Sequence, residues 1–123
     1  MDAALAHAES LGASIVVSVV DRGGHVVAKA RMDGSTLLCV GLADDKAYTA
    51  VALEMPSDGL AELVLPGGYL HGLNVVQSGR VVPFGGGVPV RDAAGGVSGA
   101  IGVSGGTTEQ DVEIAQAAVR SVT

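Results

Sequence analysis

The 123-residue chain has no tryptophan, one phenylalanine and two tyrosines, so the 48% of it that is apolar is mostly valine and alanine. Small side chains each bury little area, at about 25 cal/mol per Å², and a core made of them leaves a thin margin over chain entropy. A valine-rich interface with further copies, giving a dimer or higher homo-oligomer, is the expected supplement. The single cysteine, Cys39, excludes an internal disulfide and suggests a reducing, cytoplasmic location. Only seven Lys and Arg stand against 13 Asp and Glu, for a net charge of −6. They are scattered, and neither a basic stripe nor an aromatic platform is present, which argues against a nucleic-acid partner. The longest apolar runs, such as Ile15-Val-Val-Ser-Val-Val20, fall well short of the ~20 residues that span a bilayer. No basic segment followed by an apolar stretch opens the chain, so no export signal is visible, although a removed leader stays compatible with the sequence.

Known chemical fingerprints are also missing. His7, His25 and His71 lack the i, i+4 spacing of a metal pair, so no metal site is expected. Cys39 reads as a small buried apolar residue, with thiolate ligation as the alternative. Val103-Ser-Gly-Gly106 is not a nucleophile elbow, and Gly102-Val-Ser-Gly-Gly106 is neither a P-loop nor a dinucleotide motif.

What the chain does have is glycine, 19 residues of it, gathered most tellingly in Val81-Val-Pro-Phe-Gly-Gly-Gly-Val-Pro-Val90 and Val97-Ser-Gly-Ala-Ile-Gly-Val-Ser-Gly-Gly106. Both stretches run up to a helix start at Thr107-Thr-Glu-Gln-Asp111. Backbone amides and a helix N-terminus brought to one edge without side-chain bulk leave room for an anionic ligand. Equally, such glycines can serve only tight turns and strand-to-helix packing.

Periodicity predicts a helix over 2–11, a hairpin of strands 14–21 and 24–31 turning at Asp21-Arg-Gly-Gly24, and a long helix over 36–54 capped by Asp33-Gly-Ser-Thr36. Pro56 ends that helix, and Ser57 caps a short one reaching residue 63 or 64. Short strands are expected over 73–77, 80–83 and 87–90, then a last strand over 97–103. Thr108 with Asp111 three residues on forms a capping box for the final helix. Strands and helices in separate runs indicate one α+β domain spanning 1–123, with helices on the faces of an antiparallel sheet.

Lys46 sits among apolar helix positions, so it either points inward, where it needs a carboxylate or a ligand anion, or pairs at the surface with Asp44 or Asp45. Arg31 and Asp33 share one side of a strand, as an ion pair and cap or as ligand contacts. His71, beside Tyr69 in Gly67-Gly-Tyr-Leu-His-Gly72, is the best single candidate for axial ligation or acid–base work. Candidate acids and bases are therefore Lys46, Tyr48, His71 and Asp111, the last being also the third residue of its cap. Candidate ligand contacts are Arg31, Asp33, Lys46, Tyr69, His71, the glycines Gly85, Gly86 and Gly87, and Ser104, Gly105 and Gly106.

Five pieces in order and spacing, Val20-Asp-Arg-Gly-Gly-His25, Arg31-Met-Asp-Gly34, Lys46-Ala-Tyr-Thr-Ala50, Gly85-Gly-Gly-Val-Pro89 and Gly99-Ala-Ile-Gly-Val-Ser-Gly-Gly106 with Gln110-Asp111, resemble the GlcG/HbpS/PduO C-terminal family. The resemblance covers essentially the whole chain, with a first helix shorter than usual. It implies a profilin-like α+β domain with a five-stranded antiparallel sheet flanked by helices, assembled as dimers or higher oligomers, and haem as a possible cofactor. The function it implies is small-ligand binding, of haem or another anion, at the glycine-rich sheet edge. The alternative is a cofactor-independent enzyme of proton-transfer, isomerase or lyase type acting on a small carboxylate or carbonyl metabolite.

Overall fold

Val16–Asp21 (β1) and Val26–Arg31 (β2) form the expected hairpin in the computed structural model, which describes residues 1–123. Gly87–Arg91 (β3) and Val97–Ser104 (β4) complete the sheet, in the order β2-β1-β4-β3 with every neighbour antiparallel. Successive side chains along each strand face opposite sides of it. Val16 and Val20 of β1 pack on the long helix Leu37–Leu53 (α2), against Cys39, Ala43, Ala47 and Ala50. Val17 and Val103 face the other way, toward Asp2–Leu11 (α1) and the C-terminal helix Thr108–Arg120 (α4), where Ala4, Ala8, Ile114 and Ala115 meet them. Side chains this small let the layers approach closely: a Cβ on Gly102 would strike the Ala43 carbonyl of α2.

The sheet has four strands rather than the five expected, because segment 73–83 supplies none. Leu73–Val75 is a 3₁₀ turn, and Val76–Gly79 (α3) is a single turn interrupted by left-handed Gln77 and Ser78, at φ 53° and 57°. Residues 80–83, which read as a strand from their valines, are bonded to α2 instead. Val82 N–H donates to Thr49 Oγ1, Thr49 Oγ1 donates to Arg80 O, and Val81 is buried against Leu60 and Val64. Once that backbone donor is committed to a helix side chain, and Pro83 has none to give, no ladder forms.

Two caps are also displaced. Ser57 starts a 3₁₀ turn, Ser57–Leu60, but Pro56 holds its N-cap position, and the serine hydroxyl works elsewhere. Thr107, not Thr108, caps α4, in a box with Gln110. Asp111 is thereby released from capping.

Candidate functional site

Asp111 lies one helical position beyond that box, on the first turn of α4, and points into the protein. Its Oδ1 accepts from Gly106 N–H at 2.9 Å, and its Oδ2 lies 2.9 Å from Lys46 Nζ. The ammonium also donates to Val103 O at 2.9 Å. Lys46 and Asp111 are each only 3% exposed, so the inward orientation holds and neither Asp44 nor Asp45 is the partner. Burial pushes the Asp111 carboxyl above its ordinary range, further than the Lys46 charge and the amides of Gly106 and Gly105 pull it back.

The glycine run is packed around this pair. Gly85, Gly86 and Gly87 are all buried. A Cβ on Gly86 would meet Val103 O, and one on Gly87 would strike Lys46 O. Ser57 Oγ donates to Phe84 O at 2.6 Å and accepts from Gly87 N–H at 2.8 Å, fixing the loop from below. Gly86 at φ 127° and Gly105 at φ 134° take backbone angles that side chains resist. The glycines thus admit helix and loop backbone, and the space sequence reasoning left there for a ligand is filled. Ser104 is buried at the end of β4, and Gly106 serves Asp111.

Other candidates lie apart. Arg31 donates to Ser35 Oγ and Ser35 O, and makes no ion pair with exposed Asp33. Tyr48 is half-buried under the Arg80 guanidinium, 3.8 Å from its ring centre. Tyr69, 91% exposed, and exposed His71 stand out on the loop before Leu73 and take no part in the sealed Lys46 centre.

An open space does exist, on the α1/α4 face of the sheet. Beyond the stretch that the helices cover, a cleft of about 360 Å³ is walled by Val19, Val27, Val90, Ile101, Ala118 and Val122, with Asp21 and Ser98 as polar members. Sequence reasoning missed it because it is formed by strands 70 residues apart that present small side chains to an uncovered part of the sheet. The Asp21 carboxylate at this cleft accepts from the N–H groups of Gly23 and His25, at 2.9 and 3.0 Å. A smaller cavity of about 250 Å³ lies on the α2 side, between Arg22, Val51, Glu54 and Val97.

A family model described as "Haem degrading protein HbpS-like" matches residues 1–120. The chain belongs to the HbpS-like family. It is 41% identical over 121 residues to a corrinoid adenosyltransferase PduO of Salmonella typhimurium, covering 98% of this chain and 35% of that protein. The chain therefore spans about a third of the length of that relative. Among solved structures it resembles a PduOC:heme complex, with TM-score 0.94 and 40% identity over 98% of this chain and 86% of that one. The ORFY protein of Klebsiella pneumoniae gives the same TM-score at 38% identity, over 97% and 81% of the two chains. The HbpS-like fold accounts for the motifs in register. In this member they build the packed centre around Lys46 and the hairpin turn at Asp21.

Proposed function

We propose that this chain binds haem, or a similarly flat and largely apolar anionic ligand, in the cleft between Val19, Val27, Ile101 and Val122. The observation that carries the reading is the cleft: about 360 Å³ of mostly apolar wall, within the size range of small-molecule sites. Such walls suit one edge of a macrocycle, and the open side leaves charged substituents in water. Likeness to a structure solved with haem supports the same choice. The reading moves the ligand from the glycine-rich edge, where Gly86 and Gly87 are filled by neighbouring backbone, to the uncovered sheet face. In this reading Lys46 and Asp111, sealed and bonded to one another, hold the fold and do not serve as acid or base.

The same face suits a second copy of the chain. Strand β2 is a sheet edge, and Val27 on it is 62% exposed. A homo-oligomer joined along this edge would enlarge a core short of large side chains while leaving the mouth of the cleft open.

Hemin titration followed in the Soret band tests the function. A saturable shift at one haem per chain is expected, and Val27→Asp, at an exposed wall, is expected to weaken it about tenfold or more through lost apolar contact. Absence of a saturable shift in the wild-type protein removes the haem reading.

A further inference from the structure

Charged side chains gather where both hairpins turn: Asp21 and Arg22 between β1 and β2, Arg91 and Asp92 between β3 and β4, and Glu54 at the C-terminus of α2. The two aspartates close their own turns. Asp21 Oδ1 accepts from the N–H groups of Gly23 and His25, and Asp92 Oδ1 accepts from those of Ala94 and Gly96, at 3.0 and 2.9 Å. Arg91 donates to Gly95 O at 3.1 Å and to Glu54 O at 2.6 Å, which clamps the end of α2 to the second turn. Arg22 and Glu54 are left over. Arg22 commits only Nε, to Val97 O at 3.0 Å, and the Glu54 carboxylate makes neither a hydrogen bond nor an ion pair.

Both line the cavity of about 250 Å³ on the α2 side, together with Val51, Gly96 and Val97. Val51 and Val97 are buried and give it an apolar floor, while Gly96 adds a wall without a side chain. The walls are fixed by the bonds just described, and the left-handed Glu54, at φ 55°, is held by Arg91 at a position where helices usually end on glycine. Arg22 and Glu54 share this concavity and yet do not pair with each other. A cation and an anion on one concave wall, with donors and lone pairs uncommitted, complement a molecule that carries both charges on a short aliphatic body. The last turn of α2 has no basic residue, so its negative dipole end adds to the attraction for an ammonium group. The volume lies below the ~300 Å³ at which drug-sized sites begin, which limits the occupant to a small metabolite. No residue of this cavity lines the apolar cleft.

We infer that this cavity is a separate ligand site for a small aliphatic amino acid. Arg22 takes the carboxylate through its terminal nitrogens, Glu54 takes the ammonium, and the carbon chain lies on Val51 and Val97.

Calorimetric titration of the full chain tests this with L-alanine, β-alanine and 4-aminobutyrate, in which successively longer chains separate the charges, beside acetate and ethylammonium, which carry one charge each. At least one amino acid is expected to bind at one per chain and about tenfold or more tighter than either single-charge probe, the margin of a charge-assisted hydrogen bond. Glu54→Gln and Arg22→Gln are each expected to weaken that binding about tenfold or more by the same loss. Glu54→Gln keeps the main-chain bond from Arg91, so its melting temperature should stay near that of wild type and separate lost binding from lost fold. In methyl NMR spectra the ligand should shift Val51 and Val97. The inference is overturned if no amino acid binds at millimolar concentration, if acetate or ethylammonium binds as tightly, if the shifts fall on Val19 and Val27 of the cleft instead, or if Glu54→Gln binds like wild type. Hemin titration decides the haem reading separately, and neither result carries over to the other.

Discussion

Lys46 Nζ and Asp111 Oδ2 lie 2.9 Å apart, with both side chains about 4% exposed, and they join α2 to α4 from opposite faces of the sheet. Each charge is tolerable in the interior only because of the other and of the Val103 carbonyl and Gly106 amide that complete their hydrogen bonds.

Lys46→Met is expected to destabilise the fold by about 3–5 kcal/mol, the range for leaving one member of a buried pair unpaired. Pairing it with Asp111→Leu should recover much of that loss, since two apolar side chains leave no uncompensated charge. Urea unfolding of the two variants beside wild type measures both. A single variant as stable as wild type would show that water reaches the site.

Asp111 has a folded-state pKa above its ordinary 3.8, with burial as the leading cause. The folded chain thus holds this proton more tightly than the unfolded chain does. Its favourable contribution is complete below 3.8 and is lost as pH rises through the raised folded value. Wild type should therefore gain stability relative to Asp111→Asn as pH falls through that window. Urea midpoints at a series of pH values, with the Asp111 carboxyl followed by carbon NMR, check the sign.

Glycine substitutions should divide according to what surrounds each site. Gly87→Ala pushes a methyl into the Lys46 carbonyl and is expected to cost at least about 1–3 kcal/mol, the usual overpacking range. Gly41, within α2, has open space around its missing Cβ and no positive φ. Gly41→Ala should stabilise by roughly 0.4–1 kcal/mol through the unfolded chain and helix propensity. Thermal denaturation of the pair is a direct comparison.

Thr107→Ala is expected to cost about 0.5–2 kcal/mol as the loss of an N-cap, whereas Thr108→Ala should change stability little. The same melting experiment distinguishes which threonine caps α4.

That last contrast shows where sequence legibility ended. Thr107-Thr-Glu-Gln-Asp111 contains two overlapping boxes, and local spacing gives no reason to prefer either. The choice is made by Lys46, 65 residues away, which needs the carboxylate that the outer box would have used. The hairpin, the long helix, the last strand and the final helix were readable because their valine and alanine periods are local. Segment 73–83 was not: Val81 and Val82 look like strand residues, and only the packing of Val81 on Leu60 and the hydrogen bond from Val82 N–H to Thr49 of α2 turn them aside. At the site, the inward turn of Lys46 was legible from its apolar neighbours.

The link between Lys46 and Asp111 also bears on how the molecule breathes. A sheet covered by separate helical layers can ordinarily shed one while keeping the other, and amide protons in each then exchange with solvent at their own rates. Here the tether passes around the sheet end at Gly86, so lifting α4 strands the ammonium on α2, and lifting α2 strands the carboxylate on α4. The amides of both helices should exchange together, as one opening unit, and Lys46→Met/Asp111→Leu should let them part.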